Sequence, residues 1–152
     1  MARISEKARR RIPRDFELST AHSGFARHLG PYYVAIIATD AGEAEYWHGL
    51  KIDERHAGRA GGKFGHGGIL LAMLDESMGR AASRAAGMVC ATVSMQTQFC
   101  APFYQDDFLR ASARVTRRGR NLVFMEGIVY CADEIIGTAS GVWANTGEAL
   151  PD

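Results

Sequence analysis

Cysteine and proline are scarce in this sequence of 152 residues, three and four respectively. So few prolines exclude a stiff proline-rich linker. The cysteines are Cys90, Cys100 and Cys131, an odd number whose spacing fits neither a zinc clip nor a C-x-x-C pair. Each lies in an apolar stretch, the usual place of a small buried thiol. The pattern predicts a reducing, cytoplasmic setting without structural disulfides. No two of the five histidines stand at metal-ligand spacing, so no metal is expected. Charge of one sign is also missing, with 18 Lys and Arg against 17 Asp and Glu, which argues against a nucleic-acid surface. Long hydrophobic runs are absent too. The longest, Tyr32–Ala38 and Ile69–Leu74, are far too short to span a bilayer.

What is present is ordinary for a globular protein, 47% hydrophobic and 23% charged residues, without repeats or low-complexity segments. The length fits one domain with a core that needs no staples. The charge is unevenly placed. Residues 1–14 hold Arg3, Lys7, Arg9, Arg10, Arg11 and Arg14 against Glu6 alone, leaving twelve basic and sixteen acidic residues in the rest. No apolar segment of secretory type follows this arm. It is read as a solvated, frayed terminus, with contact to phosphates or anionic lipid as the alternative. Residues 15–152 form the single domain.

Ser19 to Leu29 reads as a short helix stopped by Gly30-Pro31. Tyr32 to Thr39 and Glu43 to Leu50 read as a strand pair around Asp40-Ala41-Gly42. Residues 53–65, rich in glycine, form a loop. Residues 66–87, HGGILLAMLDESMGRAASRAAG, form a helix, apolar on every side over Ile69–Leu74 and so expected to be buried all round. Met88 to Phe99, Phe108 to Arg117, Leu122 to Tyr130 and Ile135 to Ala144 read as strands. Their short connections require antiparallel pairing. The expected fold is therefore α+β: an antiparallel sheet of five to six strands against one long central helix.

Asp75 is the residue that needs explaining. It shares a helical stripe with Gly68, Leu71, Ala72, Met78, Gly79 and Ala82, all small or apolar. A carboxylate there is expected to be raised by desolvation, which suits a base or nucleophile near neutral pH. The competing reading pairs it with Arg80 or Arg84. Glu76, about 100° round the helix, is the expected solvent-facing acid. Gly67 and Gly68 stand at the helix start, where free N–H groups and the dipole form an oxyanion-type site. His66, just before them, can orient or polarise the same group.

Gly67 and Asp75 are eight residues apart, about 12 Å along a helix, too far for one carbonyl to touch both. Acting together requires a second copy of the helix, antiparallel across a two-fold axis, giving two equivalent sites per dimer.

HGGILLAMLDESMG, TVSMQTQFCAPF and ARVTRRGRNLVFMEGIVY together resemble the hotdog-fold acyl-CoA thioesterases, closest to the phenylacetate-pathway (PaaI-like) family. The resemblance runs from about Phe25 to Trp143. It implies a sheet wrapped around the central helix and hydrolysis of an acyl-CoA thioester. It assigns Asp75 as nucleophile or general base and the Gly67 N–H as carbonyl donor, supported by His66. Thr92, at the start of the following strand, positions the nucleophile, and Gly68 belongs to the substrate site. The hairpin Arg117, Arg118, Gly119, Arg120 and Asn121 falls at the pantetheine and phosphate tail, where arginine forks suit phosphates. Leu71, Met78 and Phe99 are candidates for the acyl wall. No cofactor is implied, coenzyme A being part of the substrate. The expected assembly is a homodimer, and a dimer of dimers beyond it, with no nucleic acid or membrane partner.

The sequence departs from the family at one place. A His-x-Asn pattern precedes HGG in the family, and here Gly58 follows His56 at the Asn place, in a longer loop. A non-catalytic acyl-CoA-binding or regulatory domain is the alternative reading; Gly58 favours it and the retained Asp75 opposes it. A hydratase of this fold would carry an Asp–His pair on the helix, and no His follows Asp75.

Overall fold

The computed structural model describes residues 4–20, 24–42 and 44–151. In chain order the elements are α1 (Glu6–Arg10), β1 (Glu17–Leu18), α2 (Gly24–Leu29), β2 (Tyr32–Ala38), β3 (Ala44–Lys51), a 3-10 turn (Glu54–His56), α3 (Gly67–Ala86), β4 (Met88–Phe99), β5 (Phe108–Arg118), β6 (Leu122–Cys131) and β7 (Glu134–Ala149). The seven strands form one antiparallel sheet in the order β1-β2-β3-β5-β6-β7-β4. The sequence pattern gave five to six. The additional strand is β1, too short at two residues for any alternation to show. The expected helix from Ser19 is shorter as well: the Ser19 N–H bonds Tyr32 O, and helix is found only from Gly24. Part of that stretch, 21–23, lies outside the described residues, as does position 43 at the expected start of β3.

α3 is built from good helix formers and has a defined stop at each end. His66 is its N-cap, with Nδ1 accepting from Gly68 N–H. Gly87 closes it at φ 71°, a left-handed position that glycine takes without strain, its N–H bonding to Ser83 O and Arg84 O. One side of α3 enters the core through Ile69, Leu70, Met73, Leu74, Met78 and Ala82. The sheet meets it with Leu109, Ala111, Val123, Met125, Val129, Ile136 and Trp143. Gly127 lets the helix come close, since a Cβ there would lie 2.7 Å from Met78 Sδ.

The helix is not buried all round. Leu71 is 39% exposed, and the stripe it shares with Gly68, Ala72, Asp75 and Gly79 is only partly covered within the chain. The apolar run Ile69–Leu74 therefore includes a face that its own chain covers only in part. Met78, a candidate for the acyl wall, is fully buried against the sheet instead. β4 lies at the sheet edge, paired on one side with β7.

The N-terminal arm is not simply solvated. Its helix α1 is capped by Ser5, and the chain after it lays Ile12 and Phe16 on the outer face of the sheet beside Ala35 and Phe108. Phe16 and Phe108 meet edge to face at 5.3 Å.

Candidate functional site

The 53–65 loop is long and irregular, and it is pinned before it reaches α3. Asp53 caps the 3-10 turn and accepts from Arg55 N–H at 2.9 Å. The Arg55 guanidinium beside it holds its carboxyl below the usual range. His56 is buried: its Nδ1 accepts from Asp53 N–H at 3.0 Å, so its Nε2 carries the proton toward Leu29 O at 2.7 Å. The backbone of His56 accepts from His66 N–H at 2.8 Å. His56 is thus a frame for the segment that delivers His66. The D-x-x-H capping pattern was its sequence signal, and the loop's glycines masked it.

At the helix start, His66 Nδ1 accepts the Gly68 N–H at 2.9 Å, which leaves the neutral ring's proton on Nε2. The Gly68 donor is therefore spoken for. The Gly67 N–H, in the first turn, has no acceptor among the described residues. Phe99, 59% exposed, lies over it; a Cβ at Gly67 would stand 3.1 Å from the ring. Gly67 thus offers a helix-end donor beside an exposed aromatic ring.

Asp75 is two turns further along, half-buried, on the partly covered stripe. The Thr92 hydroxyl donates to its Oδ1 at 2.7 Å. A register shift between Thr92 and Ser94 accompanies this contact, with Val93 as the extra residue. Such a bulge re-aims side chains along a strand. Here Thr92 turns to Asp75 of α3 and Met95 packs against the core.

The arginines that the competing reading pairs with Asp75, Arg80 and Arg84, are engaged elsewhere. Arg80 Nε bonds Glu76 Oε1 at 2.5 Å, and the Arg84 guanidinium stacks 3.9 Å from the centroid of Tyr46. Glu76 is therefore not the solvent-facing acid: its side chain is 26% exposed, and it forms the salt bridge. Among the described residues Asp75 is left on the partly covered stripe with one hydroxyl donor, Thr92. Near Glu76 the Tyr32 hydroxyl is raised by burial and then by that carboxylate.

The hairpin residues Arg117, Arg118, Gly119, Arg120 and Asn121 are all exposed. Gly119 N–H closes the turn on Leu122 O at 2.7 Å, and Arg118 reaches Ala86 O, at the last turn of α3. This is the opposite end of the helix from Gly67. Within one chain the fold brings Asp75 to Thr92 and His66 to Gly67 and Gly68. It brings neither the two groups to each other nor the hairpin to the Gly67 donor.

Among the described residues there is no group of three or more His, Cys, Asp or Glu able to hold a metal ion. No helix among them is long and apolar enough to cross a membrane.

Residues 62–138 match the family model of the thioesterase superfamily. No curated protein matches the sequence. Among solved structures, a phenylacetic acid degradation-related protein from Ralstonia eutropha is 27% identical, with TM-score 0.61 over 78% of this chain and 87% of the other. The PaaI protein of the E. coli phenylacetic acid degradation operon has TM-score 0.68 at 18% identity, over 83% and 86% of the two chains. A Bacillus halodurans protein solved with CoA has TM-score 0.66 at 20% identity, over 88% and 83%. The last two likenesses speak to fold alone. A match over half the sequence, carried on the antiparallel sheet and long helix described above, makes this chain a member of the thioesterase superfamily, a hotdog-fold thioester hydrolase similar to the PaaI-like structures.

Proposed function

We propose that the chain hydrolyses acyl-CoA thioesters at a site built from two copies, within one hotdog unit spanning residues 15–152 of each. The observation that carries this reading is Asp75, held by Thr92 at 2.7 Å on a helix face its own chain covers only in part. A second copy whose α3 runs antiparallel would bring Gly67 of the partner subunit opposite that carboxylate. Edge strand β4 offers the unpaired backbone for such an association. The CoA bound to the Bacillus halodurans relative and the arginines of the 117–121 hairpin support coenzyme A as the leaving group.

In the reaction, Asp75 takes a proton from water as the water oxygen bonds to the thioester carbon. The carbonyl electron pair moves onto oxygen, facing the N–H of Gly67 of the partner subunit. His66, capping the same turn, fixes that donor. The pair then returns, the C–S bond breaks, and the thiolate takes the proton from Asp75, leaving acid and CoA. Direct attack by Asp75 would instead pass through an anhydride. Single-turnover hydrolysis in heavy-oxygen water tests the anhydride route, since water attack at its aspartyl carbon leaves label in the protein and the general-base route leaves none there. No cofactor enters either route.

The test is thiol release from short aliphatic, long aliphatic and aromatic acyl-CoAs, with the molecular mass measured in solution. Asp75→Asn is expected to lose about 100-fold or more in turnover. Undiminished turnover in that variant removes Asp75 from the chemistry. A fully active monomer removes the shared site. A wild type that binds acyl-CoA without turnover favours the alternative reading, a binding or regulatory domain, to which Gly58 at the family's Asn place points.

A further inference from the structure

We propose that Arg9, from the N-terminal arm, is a positioning residue for the oxyanion element, holding in place the stretch of chain that presents the Gly67 N–H. The inference rests on the site reading above for its catalytic consequence and on geometry alone for its structural one. Arg9 side chain is 13% exposed and faces Asp107, at 5%. Its fork grips that carboxylate, Nε at 3.1 Å from Oδ1 and Nη2 at 2.6 Å from Oδ2, while Nη2 also reaches Pro102 O at 3.2 Å. Nη1 bonds Glu134. The contact with Asp107 holds the guanidinium firmly in its charged form. The arm's other described cations, Lys7, Arg10, Arg11 and Arg14, are exposed.

What Arg9 grips is the turn over residues 102–107. Asp107 also accepts from Tyr104 N–H at 2.8 Å and its own N–H bonds Tyr104 O at 3.1 Å. Asp106 sits at φ 72°, which a side-chain-bearing residue adopts only when its surroundings hold it. Lys51 adds a second pin through Asp106 O and, at 2.8 Å, Arg10 O.

This turn holds the approach to α3. Gln105 N–H bonds Lys63 O at 2.7 Å, Gly65 N–H bonds Phe103 O at 2.9 Å, and Phe64 meets Tyr104 edge to face at 5.6 Å. There is no slack in the contact: a Cβ on Gly65 would stand 1.9 Å from the Phe103 ring. The next two residues are His66 and Gly67. Arg9 thus acts through Asp107, the turn and Gly65 on a donor whose aim matters when charge develops on the carbonyl oxygen. Loosening it costs rate in the chemical step more than substrate binding.

Arg9→Ala leaves the Asp107 carboxylate buried without its partner, which can cost the fold. The double variant Arg9→Met with Asp107→Asn removes both charges together, and Arg9→Lys keeps the charge without the fork. Lys7→Ala is the control. The measurements are kcat and KM on the best acyl-CoA substrate, and amide hydrogen exchange at residues 64–68. Folded Arg9 variants are expected to lose about tenfold in kcat with KM within about twofold, and to exchange faster at 64–68. Added guanidinium ion restores part of the Arg9→Ala rate, and equal sodium chloride does not. Wild-type kcat with unchanged exchange at 64–68 in any folded Arg9 variant overturns the proposal, as does a loss confined to KM. If wild type turns over no acyl-CoA, the functional reading fails by itself and exchange at 64–68 decides the positioning claim.

Discussion

Thr92 and Asp75, seventeen positions apart, are joined by a single 2.7 Å hydrogen bond that ties edge strand β4 to the open stripe of α3. The hydroxyl donates to Oδ1, which orients the carboxylate and leaves Oδ2 for the proposed reaction. Replacing Thr92 with Val keeps the shape and removes the donor. The expected result is a fall in kcat of about tenfold with a change in stability of about 1 kcal/mol or less, since Thr92 is exposed. Thr92→Ser keeps most of the rate. Steady-state kinetics beside thermal unfolding checks both halves.

Gly58, at the place of the family's Asn, has room for a side chain. A Cβ there would lie 3.6 Å from Phe64 O and 3.9 Å from His66 Cα, ordinary contact. Gly58→Asn is therefore expected to fold with an unchanged melting temperature to within a few degrees. It puts an amide beside His66, and up to about a tenfold gain in kcat is expected from the added polar group. No gain in a well-folded variant means that this chain's site works without that group.

Much of the frame was readable from the residues. α3 is bounded as expected because His66 and Gly87 are strong local stops, and the strands from β4 to β7 are long enough for alternation to emerge. The errors have a common cause. Periodicity gives a side chain's direction on an element and says nothing of what waits there. Asp75 and Glu76 are adjacent, and the pattern assigned Glu76 to solvent. Arg80, one turn on, engages it instead. Arg9 looked like one more charge in a basic run because its partner, Asp107, is 98 positions away. The Thr92 bulge also escaped, since an extra residue leaves no mark in a strand already rich in β-branched and polar residues.

Cys131 gives a pH dependence whose sign follows from its surroundings. Burial pushes its thiol from 9.0 up to about 12. In the unfolded chain the thiol ionises near its ordinary value, so above it the unfolded state binds fewer protons than the folded state. The contribution is complete below pH 9.0 and is lost as pH rises toward about 12, at up to about 1.4 kcal/mol per pH unit. Cys131→Ala is expected to flatten the alkaline limb of a stability-against-pH curve. In the native protein a thiol reagent at pH 8 should modify exposed Cys100 and spare Cys131.

The hairpin arginines allow a test that separates binding from chemistry. Arg117 and Arg120 are exposed and lie at the end of α3 away from Gly67, so neither is near the Gly67 N–H of its own chain. If they hold the nucleotide phosphates, their effect is on binding that is equal in ground and transition states, which moves KM and not kcat. Arg117→Ala with Arg120→Ala is expected to raise KM for acyl-CoA roughly tenfold at low salt, at unchanged kcat. The difference should shrink as salt screens the exposed charges. A truncated substrate, acyl-pantetheine, lacks the nucleotide and should show no difference between wild type and variant. An equal KM rise on both substrates would place the loss in the pantetheine channel or in the fold, and would free the hairpin from phosphate recognition.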